Sequence, residues 1–237
     1  TGTWLSLAST LQSALRWDEA KTAYRRALEL EPSAYYAASL LASLLGNMGR
    51  YDEALAMADR ALAINPDEFG PHQTKVNAYR GLGRIEDALA EADRIIQMEP
   101  DRHFGYTCRA SLLRESGAPD EEVLAVLDDA LEHAESDDDE WSVRKMRGQL
   151  LAEMGRWEDA LVDLQRAIEF HAGHLGVYSA LAQAQYHLGN YAEAWQAIHD
   201  AERAGMKYGW TPDEEFVERL REAMPEPPVN QDDAGAE

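Results

Sequence analysis

Apolar and small residues recur along the chain with a period of 34 residues. Three segments of the form apolar, apolar, any, apolar, polar, proline end at Pro32, Pro66 and Pro100. A second phrase has a basic or amide residue, a large apolar residue, two mostly acidic residues and an alanine. It occurs at residues 16–20, 50–54, 84–88, 156–160 and 190–194. Because a fixed period of this length is typical of repeat architectures, the pattern predicts a tandem array of similar units.

The spacing predicts that each unit is two amphipathic helices joined by a tight turn. Small residues let the two helices approach closely, at Ala20, Ala54, Ala88, Ala160 and Ala194. The end of a first helix favours a left-handed residue, and this place holds Gly49, Gly83, Gly117, Gly155 and Gly189. Each proline ends the second helix because it cannot continue one. One unit cannot bury its apolar face alone, so neighbours are expected to stack into a continuous core.

These residues resemble the tetratricopeptide repeat family, whose pattern is W-x2-L-G-x2-Y, then A-x3-F, then P. The first repeat carries Trp4, Leu7, Ala8, Leu11, Ala20, Tyr24, Ala27 and Pro32 in this spacing. The sixth repeat carries Tyr178, Leu181, Ala182, Ala194, Ile198 and Ala201. The resemblance implies an all-α protein, a right-handed α-solenoid of helix-turn-helix repeats.

We predict a single solenoid over residues 1–224, followed by a tail. Its repeats are placed at residues 1–34, 35–68, 69–102, 103–140, 141–174 and 175–208. A capping helix is predicted at 211–224, because Thr211 suits an N-cap and Pro212 the first helical position. Residues 225–237 are rich in proline and acid, which predicts a disordered acidic tail.

The period slips once, near the fourth repeat. Ala88 and Ala160 lie 72 residues apart, four more than two periods. We assign one extra residue to 117–120 and three to the acidic run 135–140, which is expected to be a hinge or a longer surface loop. The run could also be considered a calcium loop, but it lacks the ligand spacing and central glycine of an EF-hand.

Composition narrows the function classes. Asp and Glu number 44 against 22 Lys and Arg, a net charge of −22, whereas nucleic-acid binding needs a basic surface. Nucleic-acid binding is therefore not expected. Membrane insertion is not expected either, because the sequence has no run of eighteen or more apolar residues. Cys108 is the only cysteine, so an intrachain disulfide cannot form. A soluble protein of the cytoplasm is favoured, with export open if a leader preceded Thr1.

No catalytic or cofactor motif stands out. The chain has no phosphate-binding glycine loop, no H-E-x-x-H and no G-x-S-x-G. The pair His171 and His174 is the nearest approach to a metal site, and further ligands are missing nearby. Acidic residues such as Glu91, beside Arg94, are interpreted as parts of solvated helix faces, and Cys108 as a packing residue. We predict no enzyme activity, no cofactor and no metal.

The resemblance also implies where a ligand would bind, because first helices line a concave groove in this family. Its predicted peptide-binding residues are Tyr36, Ser43, Asn77, Arg80, Phe104, Ser111, Arg114, Lys145, Gln149 and Gln183. Polar uncharged side chains suit hydrogen bonding to an extended peptide, and the aromatic rings could anchor side chains. The alternative is that this row is only a solvated surface.

The predicted function is that of an adaptor or scaffold that binds a peptide or helix of a partner protein in the groove. A structural subunit, packed within a larger multiprotein complex through its convex face or ends, is the alternative. Exposed tryptophans outside the groove would favour it, with Trp4, Trp141 and Trp210 as candidates. A regulatory part of a longer enzyme is a third interpretation.

Overall fold

A computed structural model describes residues 1–171, 175–205 and 213–224. Within these ranges the regular structure consists of thirteen α-helices, as the six-repeat register predicts. The chain divides into two compact units, residues 1–119 and residues from 120 onward.

The first unit contains three complete helix pairs and the first helix of the fourth repeat. Its helices are α1 (Gly2–Ser13), α2 (Trp17–Leu30), α3 (Tyr35–Asn47), α4 (Tyr51–Leu62), α5 (Phe69–Gly81), α6 (Ile85–Met98) and α7 (His103–Ser116). We call the first helix of each repeat its A helix and the second its B helix. Each A helix packs on its own B helix where the unit contains one. The helices α3, α5 and α7 also pack on the B helix of the preceding repeat, and α3 lies against α5.

The second unit contains the remaining helices. They are α8 (Asp120–Glu132), α9 (Asp137–Glu153), α10 (Trp157–Phe170), α11 (Leu175–His187), α12 (Tyr191–Gly205) and α13 (Glu214–Ala223). Here α9 packs on both α8 and α10, and α11 on both α10 and α12.

The predicted turn glycines are confirmed. All five adopt a left-handed backbone, with φ between 71° and 81°. At Gly49 the following amide, Arg50 N–H, donates to Leu45 O at 2.9 Å, which satisfies a carbonyl that the helix end leaves open. The equivalent residue of the first repeat is Leu15, which holds φ 58° without being glycine.

The predicted close-approach alanines are confirmed as well, since all five are fully buried. The core of the first two repeats surrounds Ala20 and Ala54 with the large buried side chains of Tyr24, Leu41 and Leu45. A side chain larger than alanine at these positions would push the paired helices apart.

The acidic run does not form the predicted loop. Ser136 is the N-cap of α9 and accepts a hydrogen bond from Asp139 N–H at 3.1 Å, and residues 137–140 form the first helical turn. Carboxylates are stabilised there by the positive end of the helix dipole. The extra residues therefore lengthen α9, and the fifth repeat begins before residue 141.

The capping helix is present, although it starts later than predicted. Asp213 is the N-cap of α13, and its carboxylate accepts from Glu215 N–H at 3.0 Å. Phe216, Val217 and Leu220 are buried against the sixth repeat. The proposed starting residues Thr211 and Pro212, Trp210 and the predicted tail lie outside the described residues.

Candidate functional site

The A helices of the first unit align residues of the predicted site at equal positions in successive repeats. Tyr36, Gly70 and Phe104 each occupy position 2 of their repeat, near the start of α3, α5 and α7. The Tyr36 side chain is 53% exposed. Phe104 is half-buried and packs edge-on against Phe69, with ring centroids 5.2 Å apart. A glycine thus stands between two aromatic residues.

Position 9 of the same helices holds the predicted polar row of Ser43, Asn77 and Ser111. The Ser111 hydroxyl donates to Thr107 O of its own helix at 2.8 Å, and Ser43 is half-buried. Asn77 is exposed and, among the described residues, forms no hydrogen bond through its amide side chain. Asn77 is therefore the exposed member of this row whose side chain has free hydrogen-bonding capacity.

The predicted basic residues of this unit occupy position 12. Arg80 forms a two-point ion pair with Glu115 of α7, in which Nε lies 3.0 Å from Oε2 and the second contact joins Nη2 to Oε1. Arg114 is exposed on α7. The pairing with Glu115 offsets the charge of Arg80.

Three predicted residues belong to the second unit. Lys145 is half-buried and its ammonium lies 4.6 Å from the centre of the Trp141 ring; burial lowers the pKa of Lys145. Gln149 Nε2 donates to Gly176 O at 3.4 Å and links α9 to α11, whereas Gln183 is exposed. Two of these side chains therefore already have partners within the protein.

Charge is distributed unevenly between the two kinds of helix. In the first unit, the A helices carry four Lys and Arg and one acidic residue, whereas the B helices carry ten acidic and five basic residues. Of the four A-helix cations, Lys75 and Arg109 pair with carboxylates of B helices. The face of the A helices is therefore close to neutral in a strongly acidic protein.

Two family models described as tetratricopeptide repeat match the sequence. One matches residues 32–99, and the other matches residues 74–140 and 145–208. Together they cover more than half of the chain.

The chain belongs to the tetratricopeptide repeat family.

Its repeat array is accordingly a module for protein–protein interaction. No curated protein is significantly similar to it in sequence.

Solved structures show the same fold at low identity. PilF of Pseudomonas aeruginosa has a TM-score of 0.71 at 15% identity, covering 93% of this chain and 96% of that one. PilW, a type IV pilus biogenesis factor, has a TM-score of 0.69 at 16% identity, covering 92% and 97%. YrrB, a tetratricopeptide protein with an unusual peptide-binding site, has a TM-score of 0.59 at 18% identity, covering 84% and 97%. These similarities concern the fold alone.

Glu91 of the third repeat contradicts the interpretation that it belongs to a solvated helix face. It is only 4% exposed, and its carboxylate lies 2.8 Å from both Lys75 Nζ and His72 Nδ1. Burial opposes ionisation of Glu91, but the hydrogen bonds from Lys75 and His72 outweigh it and lower the pKa of Glu91. Arg94, the partner assumed from the sequence, lies 4.0 Å away.

A similar network lies in the fifth repeat. Asp163, which is 1% exposed, contacts Arg147 Nε at 2.6 Å and Arg144 Nη1 at 2.7 Å. The two networks occupy the same positions, since bases stand at 4 and 7 of the A helix and an acid at 23 of the B helix. Comparing the repeats position by position could have found them, because position 4 holds Trp, Ala or Tyr in the other four repeats.

Cys108 and His171 are the remaining residues that the sequence analysis considered for chemistry. Cys108 is partly buried within the core of the third and fourth repeats, and burial raises the pKa of its thiol to about 11. His171 Nε2 lies 3.0 Å from Asp138, while His174 lies outside the described residues. No helix in the described ranges is long and apolar enough to cross a membrane.

Proposed function

We propose that the first unit binds an extended segment of a partner protein across α3, α5 and α7. The observation that carries this proposal is the row of Tyr36, Gly70 and Phe104. Gly70 has no side chain, and a Cβ placed there would meet only Ser39 Oγ within 4 Å. Apolar side chains of the ligand would therefore pack on α5 at this position and against the neighbouring rings. Aromatic residues with a free apolar face are enriched where proteins anchor their partners.

Polar groups further along the same helices would hold the ligand backbone. The amide of Asn77 can both donate and accept, and it lies two turns after Gly70 on α5. Arg80, after release of Glu115, would favour an acidic or phosphorylated group on the ligand, and Arg114 lies at the same position of the next A helix. In the second unit, considered by itself, Lys145, Gln149 and Gln183 lie on A helices and would contact a ligand bound there. The peptide-binding site described for YrrB, which has the same fold, supports this use of the array. The function is binding, without catalysis.

The test begins with a phage-displayed library of random linear peptides. The affinity of a selected peptide is then measured by fluorescence polarisation for Tyr36→Ala and Gly70→Leu. Leucine at residue 70 covers this part of α5, and its Cβ would meet only Ser39 Oγ, at 3.2 Å. Each variant should bind at least tenfold more weakly, which corresponds to about 1.4 kcal/mol.

The matched control is Leu30→Ala on α2, because Leu30 is also 53% exposed. It should leave affinity unchanged. If Leu30→Ala weakens binding and Gly70→Leu does not, the ligand binds on the B helices and this proposal is wrong.

A structural subunit is the second candidate, and one observation favours it. Trp4 and Leu7 of α1 are 37% and 44% exposed, away from the row at position 2. Large apolar side chains grouped at a surface mark a contact with another molecule. Such a subunit would be held through its first repeat.

A further inference from the structure

A cleft lies between α2 and α4, the B helices of the first two repeats, with α3 at its base. Its volume is about 290 Å³. The apolar walls are Leu28 of α2, Leu41 and Leu45 of α3, and Met57 of α4. Sites for small molecules are mostly apolar concavities of about 300 Å³ or more, with a few polar groups at fixed points. The cleft has this form, and its charged groups would select the ligand.

Among the described residues, Arg60 of α4 is the arginine of this cleft that no acid neutralises. Its Nη2 group donates to Pro32 O at 2.8 Å, and none of the described carboxylates forms an ion pair with it. Arg25, the other arginine that lines the cleft, pairs with Glu53 at 3.3 Å. Because a guanidinium has five N–H groups, Arg60 keeps donors for a ligand.

The two acids that line the cleft already have basic partners. Glu29 pairs with Arg26 of its own helix at 2.6 Å, and Glu53 also pairs with Arg50. The charged side chains that line the cleft, together with their ion-pair partners, are therefore four arginines and two glutamates. In a protein with a net charge of −22, this is a local excess of positive charge, and it favours an anionic ligand.

The third repeat shows which group Arg60 lacks. Arginine occupies position 26 in both repeats, as Arg60 and Arg94. Position 23 of the third repeat is Glu91, whose carboxylate lies 4.0 Å from Arg94 Nη1. Position 23 of the second repeat is Met57. The second repeat therefore has the arginine without the acid, and a carboxylate from outside the chain would supply the missing charge.

We propose that this cleft binds a small carboxylic acid with an apolar tail. The carboxylate pairs with Arg60, and the tail contacts Leu41 and Met57. Burial of the tail provides the affinity, and the arginine provides the selectivity for a carboxylate, whose two oxygens match the guanidinium. The site is built from α2, α3 and α4, so it goes beyond the proposed function and is independent of ligand binding at Gly70 of α5.

Octanoate is the probe, and two further compounds separate its charge from its tail. Octylamine keeps the tail with the opposite charge, whereas acetate keeps the charge without the tail. Isothermal titration calorimetry on the full chain at neutral pH should show saturable binding of octanoate, at least tenfold tighter than that of either other compound. In NMR titrations, the largest shifts of backbone amides should fall in α2, α3 and α4.

Substitutions at position 26 then locate the carboxylate. Arg60→Gln should weaken octanoate binding at least tenfold. The matched control Arg94→Gln, at the same position of the third repeat, should leave it unchanged. Arg60→Glu should reverse the preference, so that octylamine binds more tightly than octanoate. This reversal is a gain of binding, so it separates a contact from a folding defect.

Three outcomes would overturn the proposal. They are no saturable binding of octanoate up to millimolar concentration, binding of octylamine or acetate as tight as that of octanoate, and an equal loss of affinity for Arg60→Gln and Arg94→Gln. The last would mean that the cleft does not position the carboxylate. Gly70→Leu should not change octanoate binding, so failure of the groove proposal would be seen separately.

Discussion

The second and third repeats place different chemistry at the same three positions of one helix pair. At positions 4, 7 and 23, the second repeat has Ala38, Leu41 and Met57, and the third has His72, Lys75 and Glu91. In the second repeat, Leu41 and Met57 are apolar walls of a cleft of about 290 Å³ between α2 and α4, which charged side chains of those two helices also line. In the third, the ion network fills the corresponding place and reaches Asp59 of the preceding repeat.

The difference shows that the same positions of a helix pair accommodate either apolar side chains or a network of charged side chains. Apolar side chains release water on burial and need no specific partner. Buried charges are desolvated at a cost that roughly offsets their attraction, so they are weak evidence for stability. They do require one arrangement of partners, and Lys75 finds its two carboxylates on α4 and α6. We infer that the network determines which neighbour stacks on the third repeat more than how strongly it stacks.

The largest effect is expected when a charge replaces the buried leucine of this cleft. Leu41→Lys would bury an ammonium beside Met57, because the two acids that line the cleft, Glu29 and Glu53, are exposed and already pair with arginines. It should lower the free energy of unfolding by at least about 4 kcal/mol. Urea unfolding followed by circular dichroism measures the change. Leu30→Lys, on the exposed surface of α2, should cost less than about 0.5 kcal/mol. A cost below about 1 kcal/mol for Leu41→Lys would show that the cleft is accessible to water.

Removing the acid of the charged network should have the next largest effect. Glu91→Gln leaves Lys75 buried with only the exposed Asp59, and should cost about 3 kcal/mol at neutral pH. Because the folded protein lowers the pKa of Glu91, its contribution is present above the unfolded pKa and is lost as the pH falls below about 4. The difference between wild type and variant should therefore shrink in acid.

Hydrogen exchange of the α5 and α6 amides measures the stability difference between wild type and Glu91→Gln at the network itself. The control is Arg94→Ala, since Arg94 is 62% exposed and should contribute at most about 0.5 kcal/mol. An equal difference at pH 3 and pH 7 would mean that the carboxylate is not the source of the effect.

A smaller effect is expected when the third repeat is given the chemistry of the second. The triple variant His72→Ala, Lys75→Leu and Glu91→Met should be as stable as the wild type or more stable by up to about 2 kcal/mol. Thermal melting measures the stability of the variant. Sedimentation measures its self-association, which is expected if the third repeat no longer selects its neighbour. A loss above about 2 kcal/mol would show that the network is a net source of stability.

The smallest effect concerns the turns, where the repeats also differ. Leu15 holds the left-handed conformation that the equivalent glycines adopt. That conformation lowers stability by about 1–2 kcal/mol for a residue with a side chain. Glycine avoids this loss, but its more flexible unfolded state cancels part of the gain in stability. Leu15→Gly should thus stabilise by up to about 1 kcal/mol, while Gly83→Leu should destabilise by about 1 kcal/mol. Opposite signs would mean that the Leu15 side chain is held by packing.

The sequence predicted the repeats because their signals are local. A glycine that needs a positive φ, such as Gly83, and an alanine at a helix contact, such as Ala88, have the same role in each copy. The acidic run was harder, since Ser136 with residues 137–140 fits both a loop and the start of a helix. Only the position of α8 and α10 around α9 decides between them.

The sequence predicted where the residues of the candidate site lie along the repeats, but it did not predict which side chains they contact. Register alone places Tyr36 and Asn77 on A helices, because helical periodicity decides which residues share a face. That Arg80 is neutralised by Glu115, 35 residues away, depends on how neighbouring repeats stack. Long-range partners of this kind have no signature in one segment of sequence.

By itself, the sequence determined the number of repeats, the turns and the apolar face of each helix, because backbone conformation and side-chain size act within a few residues. Only the tertiary structure decided the state of the charges. Glu91 and Asp163 look like surface residues in the sequence, and they are buried because the bases at positions 4 and 7 arrive from another helix. A charge is stable in the interior only where its partner also lies, and the partner is brought there by folding.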